Sequence, residues 1–412
     1  MRARQLFLIL LGYFCNFPIK ATGSPYDSFA IVEPSYDVSD ERQQIGSYLD
    51  KLLKAPDASS SPESWQRDEI YLLEDKDYPK SLFEHYPGVG QVSGITALPS
   101  GDIAIVHRAD RQWTEGTFDS NNSLANLTNN SQDNLIQSDT IMILDSEDGN
   151  SIASFGSNLF YLPHSIASDN RGNLWVSDVA RHQVMRLPTS LMHRSAHDQS
   201  GRRRQLPGNM SRIWPDIILG EPFVPGKDRA HFCQPAEVAV SADGRLVFVA
   251  DGYCNNRVQV FTGTGKYLAS FGEGLNMNIV HSLALMEERN LICVADRENE
   301  RILCFKAGLD GNLESLGQLV LSLNYPLGKV YAIAAISPNH MLVSSNQPGT
   351  NRFDVAALNP FTKELKQTWT SSDLLVPHSL VRTRDGLYAY AADMSKDAFK
   401  KVFKFNIIHR KA

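Results

Sequence analysis

The sequence predicts an all-β protein, a six-bladed β-propeller, and three observations predict it. One plan of short apolar strands recurs six times between about residue 90 and the C-terminal end. Where no insertion intervenes, the recurrences lie about 45 to 50 residues apart, the length of a four-stranded propeller blade. The strands are four to six residues long, rich in Val, Ile, Leu and Phe, and separated by turns carrying Gly, Asp or Asn.

The six segments are "QVSGITALPSGDIAIVHRAD", "LPHSIASDNRGNLWVSDVARHQVMRL", "QPAEVAVSADGRLVFVADGYCNNRVQVF", "IVHSLALMEERNLICVADRENERILCF", "VYAIAAISPNHMLVSSN" and "VPHSLVRTRDGLYAYAADMSKDAFKKVFKF". Gly94, His164, Ala236, His281, Ala332 and His378 align as equivalent positions. The two longest steps carry polar insertions, which belong on loops outside the repeated core. A solenoid would need polar capping repeats at its ends. None is evident, and closing the repeats into a ring removes the exposed ends.

The rest of the chain is read around this core. Residues 1–23 form a signal peptide: a charged "MRAR", an apolar "LFLILLGYFC" and a small-residue cleavage site at "ATG". Residues 24–66 are polar and read as a disordered segment with a linker, "APDASSSPES". The propeller domain is expected over residues 67–410. No later stretch approaches the ~20 apolar residues of a membrane span, so the protein reads as secreted or luminal. A net charge of −6 excludes a basic nucleic-acid binder.

Of five cysteines, Cys15 falls in the signal peptide. The remaining four suggest two disulfides in an oxidising compartment. Cys293 and Cys304 flank a short hairpin that brings them face to face, and Cys233–Cys254 then closes the preceding unit. Four glycosylation sequons occur, at Asn121, Asn126, Asn129 and Asn209, the first three in one Ser/Asn-rich loop. The basic run "GRRR" at 201–204 sits in the second insertion and is a potential processing site.

The repeats also carry chemistry. The first strand of each blade lines the central channel, so equivalent residues form a ring about one axis. His164, His281 and His378 come from blades 2, 4 and 6, about 120° apart in a six-fold ring. Three imidazoles converging with a fourth position open is a typical catalytic zinc arrangement. A single histidine here would read as a packing detail; three at one repeat position favour a metal. Arg108, Tyr253 and Arg297 end second strands or follow them, and these turns share the face beside the channel mouth. Two arginines and a tyrosine beside a metal suit a small anionic substrate.

At these residues the chain resembles the peptidyl-α-hydroxyglycine α-amidating lyases, on NHL-type repeats, from about residue 85 to residue 406. The resemblance implies the second step of C-terminal peptide amidation. A peptidyl-α-hydroxyglycine would be cleaved to an amidated peptide and glyoxylate. It implies zinc on His164, His281 and His378, Tyr253 as base, and Arg108 and Arg297 on the substrate. It implies the same disulfide pairing. It also implies a structural calcium bound by the carbonyls of Ile95 and Ile166 and by an acidic side chain after His378. That last position is Ser379 here, which weakens an oxygen-ligated cation. Val376 stands where the mammalian enzymes of that family carry a methionine near the metal. No copper monooxygenase domain precedes the repeats, so a separate peptidylglycine α-hydroxylating monooxygenase is the expected pathway partner. Three other readings are weighed: a calcium-dependent lactonase or esterase, a non-enzymatic NHL-type binding module, and a lyase homologue of impaired activity. The aligned histidines speak against the first two.

Overall fold

A computed structural model describes residues 68–79, 86, 88–125, 134–189, 213–324, 328–347, 349–350, 352–395 and 400–411. The signal peptide, the 24–66 segment, the sequons at Asn126, Asn129 and Asn209, and the 201–204 run lie outside the described residues.

Among the described residues the strands, numbered in chain order, form six antiparallel four-stranded sheets. Blade 1 holds β2 to β5 (92–155), blade 2 β6 to β9 (163–219) and blade 3 β10 to β13 (237–271). Blade 4 holds β14 to β17 (280–324) and blade 5 β18 to β21 (330–369). Blade 6 holds β22, β23 and β24 (377–411) and takes β1 (Asp68–Glu74) as its outer strand. The innermost strands β2, β6, β10, β14, β18 and β22 contact one another in sequence, and β22 returns to β2. The fold is the six-bladed propeller that the repeats predict.

Six apolar clusters hold the ring, one in each gap between neighbouring blades. Strands flanked by blades on both faces must be apolar on both faces, which is why "IAIVH", "LWVSD", "LVFVAD" and "LICVAD" are buried at every position. Both disulfides are formed, Cys233–Cys254 and Cys293–Cys304. They suit an oxidising compartment. No helix among the described residues is long and apolar enough to cross a membrane.

One register differs from the sequence alignment. In β2, β6, β14, β18 and β22 the pairing with the next strand skips one residue near the start. The skipped residues are Ser93, His164, His281, Tyr331 and His378. The equivalents of the histidines in blades 1 and 5 are therefore Ser93 and Tyr331, not Gly94 and Ala332. A bulge inserts a residue without leaving a mark in the hydrophobic pattern, and it re-aims that residue's side chain.

The ring closes through β1. It pairs with β24 from Asp68 against Lys411 to Glu74 against Phe405. Ile70 and Leu72 enter the cluster between blades 5 and 6. Gln367 of β21 bonds the backbone of Leu72 in both directions, at 2.6 and 3.1 Å. Replacing Ile70, 1% exposed, by Ala should cost about 2–5 kcal/mol. Leu73→Ala, at a 59% exposed position of the same strand, should change stability by less than about 0.5 kcal/mol. Chemical denaturation of the two variants checks this.

Candidate active site

The skipped residues of blades 2, 4 and 6 point their imidazoles into the channel. The ligand nitrogens of His164, His281 and His378 all lie within 4.8 Å of one another. Each Nδ1 donates to a backbone carbonyl of the next blade: His164 to Ala236 at 2.8 Å, His281 to Tyr331 at 2.6 Å, and His378 to Ser93 at 2.8 Å. The acceptors occupy the histidine position in the three blades that lack a histidine. A carbonyl can only accept, so each Nδ1 carries the proton and each Nε2 presents a lone pair. The Nε2 of His281 is buried with no hydrogen-bond partner.

All three rings are held neutral. Burial is the largest cause, and it pushes His164 and His281 well below the ordinary imidazole value and His378 down to about 3. For His164 and His281 the charge of the neighbouring imidazoles adds to this, and Arg108 acts in the same direction on all three. Neutral, oriented imidazoles with converging lone pairs fit a zinc ion, and fixing the tautomer from behind is how such ligands are usually prepared.

Tyr253 stands at this centre. Its hydroxyl donates to His164 Nε2 at 2.9 Å, the lone pair a metal would take. The turn that carries it comes close to blade 4: a Cβ on Gly252 would lie 1.8 Å from the Val280 carbonyl, immediately before His281. Burial raises the phenol above its ordinary value, while Arg297 and Arg108 pull it down. The two arginines alone therefore do not make it a base.

Arg108 is 1% exposed. Its Nε donates to the Pro163 carbonyl at 3.1 Å, and Nη1 to Gln91 Oε1 at 3.4 Å. Its Nη2 is buried without a partner. Complete burial pulls the guanidinium down to about 10, against Tyr253 and Asp178, which raise it. Arg297 lies with its guanidinium carbon 5.5 Å from the Tyr253 ring centre and bonds Glu298 Oε1 at 2.9 Å. The six side chains singled out in the sequence thus share one chamber.

Two residues join them that sequence reasoning missed. Trp113, from the long blade 1 excursion, lies 4.7 Å from the Tyr253 ring and 6.0 Å from that of His164. No repeat marks an insertion, so nothing in the sequence flagged it. Tyr331 fills the histidine position of blade 5, and its ring lies 5.2 Å from the Arg297 guanidinium carbon. The correct register would have exposed it.

Beyond the histidines the channel opens into a cavity of about 380 Å³ lined by Ile95, Ile166, Glu237, Leu283, Ile333 and Leu380, among others. Ser379 does not face it as a free ligand: its hydroxyl accepts from the Ile95 N–H at 3.3 Å. Glu237 accepts from the Leu283 N–H at 2.5 Å, and burial pushes its carboxyl up to about 7 against that bond and one from Ser282. The oxygen set expected for calcium lacks its carboxylate at position 379, and the donors present fit that ion poorly. Asn121, in the blade 1 excursion, is exposed.

Comparison with known proteins places the chain. The NHL repeat family matches residues 160–186 and 232–261. Peptidyl-α-hydroxyglycine α-amidating lyase 2 of Drosophila melanogaster is 30% identical over 324 residues, 76% of this chain and 72% of that protein. The chain belongs to the peptidyl-α-hydroxyglycine α-amidating lyase family. A probable lyase of the same description from Caenorhabditis elegans is 36% identical over 259 residues, 61% of this chain and 66% of that protein. Peptidyl-glycine alpha-amidating monooxygenase A of Xenopus laevis is 36% identical over 280 residues, 64% of this chain. The match spans only 27% of that longer protein.

The atom that a Cβ at Gly252 would meet is backbone, which cannot swing aside as a side chain can. Gly252→Ala should cost about 1–3 kcal/mol by overpacking. Gly274→Ala, where an added Cβ meets nothing within 4 Å, should be neutral. Denaturation midpoints of the two variants separate the cases.

Proposed function

We propose that this protein is a zinc-dependent peptidylamidoglycolate lyase, which cleaves the C–N bond of peptidyl-α-hydroxyglycine to give an α-amidated peptide and glyoxylate. One observation carries the reading. Three oriented Nε2 lone pairs, a phenol and an unpartnered buried guanidinium nitrogen converge in one chamber of a chain from this family.

The substrate carries a hydroxyl and a carboxylate on the carbon bonded to the amide nitrogen. His164, His281 and His378 would hold zinc. Bound there, zinc supplies a Lewis acid for the hydroxyl oxygen and a positive charge beside the Tyr253 phenol. Arg108 Nη2 offers its free donor to the carboxylate, and Arg297 offers a second guanidinium beside the Tyr253 ring. Tyr253 takes the hydroxyl proton. The C–O bond becomes the carbonyl of glyoxylate as the C–N bond breaks, and its electron pair leaves with nitrogen. Tyr253 returns the proton to that nitrogen, which completes the amide. No electrons are exchanged with an outside carrier.

The substrate must come from a reaction that hydroxylates a C-terminal glycine, the work of a monooxygenase. Secretion, and glycosylation at Asn121, Asn126, Asn129 and Asn209, complete the proposal.

Purified protein should release glyoxylate from a short α-hydroxyglycine-extended peptide. A chelator should abolish the release and zinc should restore it. His281→Ala should lose both zinc, measured by metal analysis, and turnover. A folded protein that binds zinc and releases no glyoxylate would sink the reading.

Tyr253→Phe should keep zinc and lose about 10²-fold or more in kcat. Near wild-type turnover in that variant would remove the base assignment.

A further inference from the structure

The mouth of the site is bordered by one continuous stack. Phe118 and Trp113 have ring centres 5.1 Å apart, and Trp113 and Tyr253 4.7 Å apart. The Arg297 guanidinium follows, 5.5 Å from Tyr253 and 5.2 Å from Tyr331. Tyr331 meets Phe353 at 5.1 Å. These side chains come from the blade 1 excursion and from blades 3, 4 and 5.

All of them are partly exposed. Phe118, Trp113, Tyr331 and Phe353 belong to none of the interblade clusters. Core packing therefore does not account for four large rings gathered at one opening, and an exposed aromatic surface beside a reaction centre is a binding surface in waiting. The stack is also held in place. Arg111 ties the excursion down through the carbonyls of Asn134 at 2.6 Å and Tyr161 at 3.1 Å. A surface ordered before binding loses little entropy when it is covered.

Its position says what it covers. With the reacting carbon's hydroxyl at the histidines and its carboxylate at Arg108, the amide nitrogen must lead outward. The residue before it would then stand one Cα spacing further out, about 3.8 Å, on the side where Trp113 and Tyr331 flank Tyr253 and Arg297. We infer that the arc is a subsite for the side chain preceding the α-hydroxyglycine unit, and that it selects large apolar or aromatic side chains there over small ones. Aromatic faces gain by burial and by offset or edge contacts with such a side chain. A small residue leaves the arc wet. The inference rests on the lyase reading.

The test uses two α-hydroxyglycine tripeptides that differ only in the preceding residue, Phe or Ala, with the zinc-loaded full chain. The wild-type kcat/KM should favour Phe by about tenfold, the scale expected from partly covering a phenyl group. Trp113→Ala and Phe353→Ala, at two separate places in the arc, should each bring the ratio below about threefold by weakening the Phe peptide more than the Ala peptide. If one variant fails to fold, the other still reads the ratio. Binding of the two amidated products, followed by calorimetry, gives a reading that needs no turnover. Normal turnover with equal kcat/KM for the two peptides would overturn the subsite and leave the lyase reading intact. A preference for the Phe amide without turnover would remove the lyase reading and, with it, the subsite as a selector of lyase substrates. Neither turnover nor preference would remove both.

Discussion

A buried aspartate at the end of the second strand fixes the backbone that leads into the innermost strand, and the site depends on that bond. Asp178 accepts from the N–H groups of Tyr161 at 2.6 Å and Leu162 at 3.1 Å, just before His164. Asp296 accepts from Asn278 at 2.6 Å, ahead of His281. Asp393 accepts from Leu375 at 2.6 Å and Val376 at 3.0 Å, ahead of His378. Asp251 holds Cys233 in the same way at 2.7 Å. Hydrogen bonds to a charged acceptor contribute roughly 1.5–3 kcal/mol each. Breaking one would leave a carboxylate buried without its donors. The same residues begin the turns that bear Tyr253 and Arg297. One carboxylate in each of blades 2, 3, 4 and 6 therefore anchors the entry to an innermost strand, ahead of a histidine in blades 2, 4 and 6, and those of blades 3 and 4 also begin the turns of Tyr253 and Arg297.

The innermost strands are then laced to each other. In blades 2, 3, 4 and 6 the residue after the histidine position offers its side chain to an N–H of the next blade. Ser165 accepts from Val238 at 3.2 Å, Glu237 from Leu283 at 2.5 Å, Ser282 from Ile333 at 3.0 Å and Ser379 from Ile95 at 3.3 Å. Gly94 holds this place in blade 1 because a Cβ there would sit 2.8 Å from the Ile166 nitrogen. Ser379 departs from the family's acidic residue and yet conforms to its own ring. Its hydroxyl lies where the last blade meets the first and accepts the N–H of Ile95 there.

Much of this was legible in the sequence because repetition makes it so. The six-fold plan, the alternate placement of histidines, and the shared turns of Tyr253 and Arg297 all follow from aligning one blade on another. The paired cysteines follow from the hairpin between β15 (Leu291–Asp296) and β16 (Arg301–Lys306). What was not legible lies where repetition fails. The bulge shifts Ser93 and Tyr331 by one place and leaves no trace in polarity. The closing strand β1 is seven residues long and pairs with residues more than 330 positions away. Its two inward residues, Ile70 and Leu72, are too few to show a pattern. Trp113 sits in an excursion with no counterpart in other blades. The state of Tyr253 depends on burial, which outweighs two nearby arginines and cannot be read from their presence.

The alternation of blades explains why six repeats yield a three-fold centre. Histidine at every position would crowd six imidazoles about one axis. With histidine in alternate blades, each ring takes its acceptor from the intervening blade, the carbonyls of Ala236, Tyr331 and Ser93. The intervening blades also bring the rest of the chamber: Arg108 from blade 1, Tyr253 from blade 3 and the Tyr331 ring from blade 5. Even blades thus present lone pairs, and odd blades present the carbonyls that orient them together with most of the groups that would meet a substrate. Arg297, from blade 4, is the exception, and it is held between the two odd-blade tyrosines. A change that reorients one imidazole would have to move the backbone of the following blade as well. The rigidity of the centre is therefore a property of the closed ring rather than of any one blade.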